Sequence, residues 1–269
     1  MILFPNCKIN LGLNILQKRT DGFHDLETGF YPLPLFDVLE ILPGSQFKYH
    51  LSGLPIPGNQ EKNLCIRAWD LIKKDFPSLT DIEFWLHKHI PIGSGLGGGS
   101  SDATHMLKMI NDIFQLDLST DQLSGYALRL GSDCPFFLNN RPCLARGRGE
   151  LLENIQLDLS DYIFLLVHGG IHVDTAWAFS RLSIRRPAPG LKEILLGPIS
   201  DWKSLLKNDF EKPVLDEYPV LRKIKEKLYQ AGALYASMTG SGSSFYGIFR
   251  KEARPSLSFE ENFSTLLIG

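Results

Sequence analysis

Pro91-Ile-Gly-Ser-Gly-Leu-Gly-Gly-Gly-Ser-Ser-Asp102 is the stretch on which the reading of the chain turns. Five of the seven residues from Gly93 to Gly99 are glycine. Without Cβ atoms a backbone can approach a ligand closely and enter positive φ, so successive N–H groups can converge on one anion. Residues 81–90 precede the run, and there Ile82, Phe84 and Leu86 alternate on one face of a predicted strand. A predicted helix over 101–114 follows, with Ala103, Leu107, Ile110 and Phe114 as its apolar stripe. Strand, glycine loop and helix N-terminus, with its unpaired N–H groups and positive dipole end, make a site for several phosphate oxygens. A flexible linker would not be wedged between a good strand and a good helix.

Two other glycine motifs compete for this stretch. Gly93 to Gly98 spells a formal G-x-G-x-x-G, but a dinucleotide site needs a buried strand after the helix, ending in an acidic residue. Here Ser119 and Gln122 instead form a capping-box pattern for a second helix ending near Gly131. A Walker A loop requires Gly-Lys-Ser/Thr, which is absent, as is the catalytic-loop set of protein kinases. The run by itself therefore says that phosphates bind.

Outward from it, residues 8–15 alternate, with Ile9, Leu11, Leu13 and Ile15 on one face and Lys8, Asn10, Gly12 and Asn14 on the other. That pattern predicts a half-buried strand with Lys8 and Asn10 side by side. Residues 19–22 read as a turn and 35–42 as a second strand. Asn63 is placed to cap a helix to about Phe76, with Leu64, Ala68, Leu71 and Ile72 on one side and Pro77 as a stop. Residues 151–161 read as the passage to a second half. There 162–167 and 243–249 are predicted strands, 200–208 is helical, and 217–231 is a helix ended by Gly232. The weak periodicity of 255–269 predicts a loosely held tail. No internal repeat or low-complexity tract occurs.

The 269 residues are 43% hydrophobic and 22% charged, with a formal net charge of −2. This is ordinary globular composition without a single-sign field, so a nucleic-acid partner is not favoured. No apolar stretch approaches the ~20 residues of a membrane span. The first ten residues carry Pro5, Asn6 and Lys8 and do not read as a secretory leader. Cys7, Cys65, Cys134 and Cys143 include no C-x-x-C pair, which points to reduced thiols and a cytoplasmic location. His87 and His89 share a strand face without an evident third ligand, so a metal site is not expected there. No G-x-S-x-G is present, which weakens a serine-hydrolase reading.

Three stretches together carry a resemblance. The run 91–102, the segment Thr239-Gly-Ser-Gly-Ser-Ser-Phe245 and the segment Pro5-Asn-Cys-Lys-Ile-Asn-Leu-Gly-Leu13 resemble, in order and near spacing, the motifs of the galactokinase, homoserine, mevalonate and phosphomevalonate (GHMP) kinase superfamily. The resemblance implies an α+β, two-lobed fold: an N-terminal lobe like domain 2 of ribosomal protein S5 and a ferredoxin-like C-terminal lobe. It also implies an ATP-binding domain over 1–155, a second domain over 156–269, and ATP with Mg2+ as cofactors. Its ATP-contacting residues would be Asn63, Lys88, Pro91, Gly93, Ser94, Gly95, Leu96, Gly97, Gly98, Gly99, Ser100 and Ser101. No metal ligand is assigned, because Gly99 aligns where relatives can use a Ser.

Asp21-Gly-Phe-His24, Leu130-Gly-Ser-Asp-Cys-Pro-Phe136 and Ala145-Arg-Gly-Arg-Gly-Glu150 narrow the resemblance. They are similar to members of the superfamily that phosphorylate a cytidine-diphosphate-linked polyol, 4-diphosphocytidyl-2-C-methyl-D-erythritol, on the non-mevalonate isoprenoid route. By that resemblance Asp133 is the general base toward the acceptor hydroxyl. Lys8 would hold Asp133 ionised and contact the transferring phosphoryl group. Asn10, Phe23, His24, Thr175, Phe179, Gly240 and Ser241 would face the acceptor. Phe23 stands where the family usually has Tyr, and keeps a stacking face without the hydroxyl. Cys7 replaces a common Ala. A homoserine, mevalonate or sugar kinase, a diphosphate decarboxylase and a non-catalytic RNA-binding S5-like module are the competing readings. Balanced charge and the presence of both Lys8 and Asp133 weigh against the last. Oligomeric state is not legible.

Overall fold

The computed structural model describes residues 1–182, 189–253, 255–259 and 263–269. In chain order the strands are β1 (Ile2–Leu3), β2 (Asn6–Lys18), β3 (His24–Phe36), β4 (Val38–Gly44), β5 (Lys48–Gly53), β6 (Asp81–Lys88), β7 (Cys143–Gly147), β8 (Leu151–Asn154), β9 (Tyr162–His168), β10 (Tyr235–Met238), β11 (Ser244–Arg250) and β12 (Ser264–Ile268). The helices are α1 (Leu64–Asp75), α2 (Gly98–Ile113), α3 (Thr120–Leu130), α4 (Phe136–Asn139), α5 (Thr175–Ser180), α6 (Leu191–Leu196), α7 (Ile199–Leu205), α8 (Glu211–Glu217) and α9 (Arg222–Gln230). Among the described residues, helices and strands segregate into an α+β arrangement with three four-stranded sheets, ordered β1-β4-β6-β5, β2-β3-β7-β8 and β10-β11-β9-β12. No described helix is long and apolar enough to cross a membrane.

The chain packs as two compact units. One comprises Met1–Lys8, Pro32–Ile92 and Gly97–Arg141; the other comprises Ile9–Tyr31, Gly93–Leu96 and Pro142–Gly269.

In the first unit Ile82, Phe84 and Leu86 of β6 point into a core with Leu39 and Ile41 of β4. That core is closed by Cys65, Ala68, Trp69 and Ile72 of α1, Ala103, Met106, Leu107 and Ile110 of α2, and Leu123 and Ala127 of α3. Each fully buried side chain of this size stabilises by about 1.5–3 kcal/mol relative to exposure. The expected caps are present. Asn63 accepts the Cys65 N–H at 2.8 Å, and Ser119 and Gln122 form both halves of a capping box at the start of α3. The predicted strand over 35–42 is in fact broken at Asp37, between β3 and β4, because the Asp37 carboxylate turns inward to a buried cation.

In the second unit β9 and β11 are the inner strands of their sheet, β9 paired with β11 and β12 and β11 with β10 and β9. Ile163, Leu165, Val167, Phe245 and Phe249 pack against Val214 of α8 and Ile224 and Leu228 of α9.

Four further expectations are corrected. β2 is buried on both faces from Asn6 to Ile15, so its polar side chains are inside, not half-exposed. The passage over 151–161 contains β8, paired with β7. Of the helix predicted over 217–231, only Arg222–Gln230 forms an α-helix, α9; Glu217 ends α8, and Pro219, which lacks an N–H, opens a 3-10 turn between them. The tail is not loose over 264–268, where β12 pairs with β9 from Ser264↔His168 to Ile268↔Phe164.

Candidate active site

In the first unit, α2 begins three residues earlier than the apolar stripe predicts, inside the glycine run. Gly97 is its N-cap at φ +73°, and Gly98 and Gly99 form its first turn. Among the described residues no side chain caps this end, which leaves its first N–H groups to another acceptor. Lys8 lies along it: a Cβ on Gly97 would fall 3.0 Å from Lys8 Cε and 3.1 Å from Lys8 Cγ. The Lys8 side chain is 2% exposed, and its Nζ stands 3.2 Å from Oδ2 of Asp133, which is 37% exposed. A buried cation is thus presented through one accessible carboxylate. The Asp133 loop is tied to the same helix. The Thr104 hydroxyl is 2.8 Å from the Cys134 carbonyl and 2.9 Å from that of Ser100.

Beneath the helix start lies an ion cluster that the sequence reading missed. Lys88 Nζ pairs with Asp37 and, at 2.6 Å, with Asp102. Asp37 also accepts the backbone N–H groups of His89 and Ile90. A Cβ on Gly98 would come within 3.3 Å of Lys88 Nζ and 2.9 Å of Ile90 Cγ2, so glycine allows the helix to sit directly on the cluster. Burial pushes the Asp102 carboxyl up to about 7 against the pull of Lys88, with Asp37 adding to the rise. Its Oδ1 is buried without a hydrogen-bond partner among the described residues. Burial would depress the Lys88 ammonium, but the two carboxylates outweigh it and the pKa is raised. Lys88, expected near the nucleotide, therefore has its ammonium enclosed by carboxylates. Asp102 closes the quoted motif and was legible as a residue; nothing in the sequence pointed to Asp37. Asn63 is the α1 cap already described, and Leu64 beside it lies 3.8 Å from a Cβ built on Gly99. Ser101 is fully buried, its carbonyl 2.8 Å from His105 Nδ1, and burial lowers the His105 imidazole to about 4.

In the second unit, Gly95 at φ +81° meets the C-terminal glycine motif so closely that a Cβ would fall 2.0 Å from the Thr239 carbonyl oxygen. The Thr239 hydroxyl accepts the Asn10 N–H at 3.0 Å and lies 3.1 Å from the Gly95 carbonyl. Asn10 Nδ2 donates to Thr28 Oγ1 at 3.0 Å, and the Tyr246 hydroxyl donates to the Asn10 carbonyl at 2.8 Å. Gly240, at φ +56°, would place a Cβ 3.6 Å from Asn10 Oδ1. The Ser94 carbonyl accepts the Ser244 N–H. Thr28, Thr239 and Tyr246 were not predicted as partners of Asn10, since only long-range pairing brings them together.

The expected acceptor-facing aromatics also fall in this unit. The His24 and Phe179 rings stack at 4.8 Å and 20°, and burial lowers the His24 pKa, with Lys18 adding to the effect. Phe23 is 51% exposed. Thr175 Oγ1 and Ser241 Oγ are 3.0 Å apart.

A glycine-started helix holding a lysine–aspartate pair, with stacked rings and a glycine hairpin elsewhere in the chain, suits transfer of a phosphoryl group to an aromatic-bearing alcohol. Comparison with known proteins agrees. Residues 63–141 match the GHMP kinases N terminal domain and residues 190–258 the GHMP kinases C terminal domain. The 4-diphosphocytidyl-2-C-methyl-D-erythritol kinase of Bacteroides fragilis is 48% identical over 268 residues, covering 98% of this chain and 97% of that one. The enzyme of the same name from Azobacteroides pseudotrichonymphae is 47% identical over 265 residues, covering 98% of both. A crystal structure of a 4-(cytidine 5'-diphospho)-2C-methyl-D-erythritol kinase superposes with a TM-score of 0.78 at 30% identity, covering 92% of this chain and 90% of that one. With near-complete coverage at almost half identity, and the fold shared, this chain belongs to the 4-diphosphocytidyl-2-C-methyl-D-erythritol kinase family of the GHMP kinases.

Proposed function

We propose that the protein transfers the γ-phosphoryl group of ATP to the 2-hydroxyl of 4-diphosphocytidyl-2-C-methyl-D-erythritol, a step of the non-mevalonate route to isoprenoid precursors. The observation that carries the chemistry is the Lys8–Asp133 pair at the open N-terminus of α2. Asp133 takes the hydroxyl proton as the oxygen attacks the γ-phosphorus and the bond to the β–γ bridging oxygen breaks, leaving ADP. The Lys8 ammonium, 3.2 Å from Asp133 Oδ2, would offer its charge to the transferring group. Backbone N–H groups of Gly97, Gly98, Gly99 and Ser100 would hold phosphate oxygens. The reading gives Pro91, Gly93, Ser94, Gly95, Leu96 and Ser101 to the same loop, and Asn63 and Lys88 to its surroundings. Phe23, His24 and Phe179 offer ring faces and a ring nitrogen suited to a pyrimidine. Asn10, Thr175, Gly240 and Ser241 would order the rest of the acceptor.

Mg2+ would come with the nucleotide. Among the described residues no group of three or more His, Cys, Asp or Glu side chains is placed to hold a metal. Magnesium commonly keeps several waters and binds substrate phosphates. Held there, it would neutralise phosphate charge. The four cysteines are free and buried, which supports the cytoplasmic placement.

The test is ATP turnover with the cytidine-linked polyol, homoserine and mevalonate as acceptors. Activity confined to the cytidine-linked polyol is expected, and none with that acceptor would sink the proposal. Asp133→Asn should lower turnover by roughly 10²–10⁴-fold while sparing ATP binding. Near-normal turnover would remove Asp133 from the role of base.

A further inference from the structure

Asn6 and Lys8 stand two residues apart in β2, so their side chains leave the strand on one face. Both reach the segment that carries Asp133. Near its start, Lys8 Nζ meets Asp133 Oδ2 at 3.2 Å. At its end, Asn6 meets Asn140 through a reciprocal amide pair. Asn6 Nδ2 donates to Asn140 Oδ1 at 3.1 Å, and Asn140 Nδ2 donates to Asn6 Oδ1 at 2.7 Å. Asn6 Nδ2 also donates to the Cys7 carbonyl at 2.8 Å, which holds the amide against its own strand. Asn6 is 4% exposed, so bulk water does not compete for these partners.

Between the two contacts the segment has little slack. The Cys134 N–H donates to the Gly131 carbonyl, the Phe137 N–H to that of Cys134, and the Asn140 N–H to that of Phe136. This run of turns carries α4 and closes on its C-cap, Asn140, at φ +51° and ψ +45°. Asn tolerates that left-handed conformation, but glycine enters it most readily. The backbone alone therefore does not call for Asn; the amide pair gives its side chain a task. Midway along, Phe137 Cζ lies 3.1 Å from a Cβ built on Gly97, as does Lys8 Cγ, so ring and lysine stem converge on one glycine.

We infer that Asn6 and Asn140 are positioning residues for phosphoryl transfer: their amide pair ties the strand bearing Lys8 to the segment bearing Asp133 and so sets the separation of ammonium and carboxylate. The inference rests on the roles proposed above for Lys8 and Asp133 and adds the means by which their geometry is held. The lysine stem is a flexible four-carbon chain, so the salt bridge by itself fixes that separation loosely. A second, directional contact at the far end of the same segment removes the freedom that remains.

The test compares wild type with Asn140→Gly, Asn6→Ala and the Asn6→Ala/Asn140→Gly double variant, each made also in an Asp133→Asn background. Asn140→Gly keeps the left-handed backbone and deletes only the pair, so it carries the test even where Asn6→Ala folds poorly. The readouts are kcat, KM for ATP and KM for the cytidine-linked polyol. Each single variant should lower kcat by about tenfold, with both KM values within about twofold. The double variant should fall by about as much as either single one, because both delete the same contact. In the Asp133→Asn background the same changes should lower the residual turnover by less than about twofold, since no carboxylate is left to place; a merely structural role would cost the same in both backgrounds. Wild-type kcat in Asn140→Gly, multiplicative losses in the double variant, or equal losses with and without the Asp133 carboxylate would overturn the inference. If Asp133→Asn is slow and Asn140→Gly is not, the inference alone fails. If wild type does not phosphorylate the polyol, or Asp133→Asn turns over almost normally, the proposed function or the role of its base fails and the inference with it.

Discussion

Gly95→Ala tests the claim that the glycine loop holds its phosphate-binding shape through the second glycine motif. Two costs can be read from the structure. At φ +81° an alanine is strained by about 1–2 kcal/mol. In addition, its Cβ would stand 2.0 Å from the Thr239 carbonyl oxygen, a separation real Cβ atoms do not show. Thr239 is fully buried and bonded to Asn10, so it cannot swing aside as a surface side chain would. The loop must therefore move, by about 1 Å, and a misplacement of that size can cost roughly 10²-fold in rate. Gly232→Ala supplies the control: φ is +94° there, but no described residue lies within 4 Å of the new Cβ. Both variants should lose melting temperature, by about 2–4 °C for each kcal/mol. Only Gly95→Ala should lose kcat/KM for ATP, by about 10²-fold. Values for the two variants within a factor of about three would refute the argument that this contact shapes the ATP loop.

Lys8→Met keeps the buried stem and removes the charge, so turnover should fall by roughly 10²–10³-fold while ATP binding changes little, as single-turnover and binding measurements would show. For Asp102 the folded carboxyl titrates near about 7 against an ordinary 3.8. The folded state thus holds more protons than the unfolded state between those values, and stability should fall as pH rises through that window. Asp102→Asn should flatten this slope in denaturant melts from pH 4 to 7, and an unaltered slope would show that Asp102 is not its source. Burial pushes the Cys7, Cys134 and Cys143 thiols up to about 12 and Cys65 well above its usual value. All four should resist a thiol reagent such as Ellman's in the native enzyme and react in denaturant.

Local chemistry was legible. The alternation at Ile82, Phe84 and Leu86, the caps at Asn63 and Ser119, and the glycine run each carry their meaning in a few neighbouring residues. Lys8, Asn10 and Asp133 were legible only as a family pattern. What could not be read are partnerships between distant residues: Asp37 with Lys88 and Asp102, and Asn10 with Thr28 and Thr239. A charged residue in a strand reads as solvent-facing, and β2 reversed that expectation because both of its faces are covered. The start of α2 was misplaced because glycine has poor intrinsic helix propensity, and the packing of Gly98 over Lys88 and Ile90 overrides it.

The interleaving of the two packed units has a consequence for how the chain acquires its structure. Neither unit is one contiguous stretch, and the Ile15 N–H finds its acceptor on Asp209, 194 residues away. Such separations raise contact order, so folding should be slow and cooperative across the sequence rather than sequential. Cutting the chain at residue 141 would leave the C-terminal piece without Leu13 and Ile15, which belong to its core. The C-terminal fragment alone should therefore show no cooperative melt and should recover structure only when the N-terminal fragment, which keeps the whole core of the first unit, is added back.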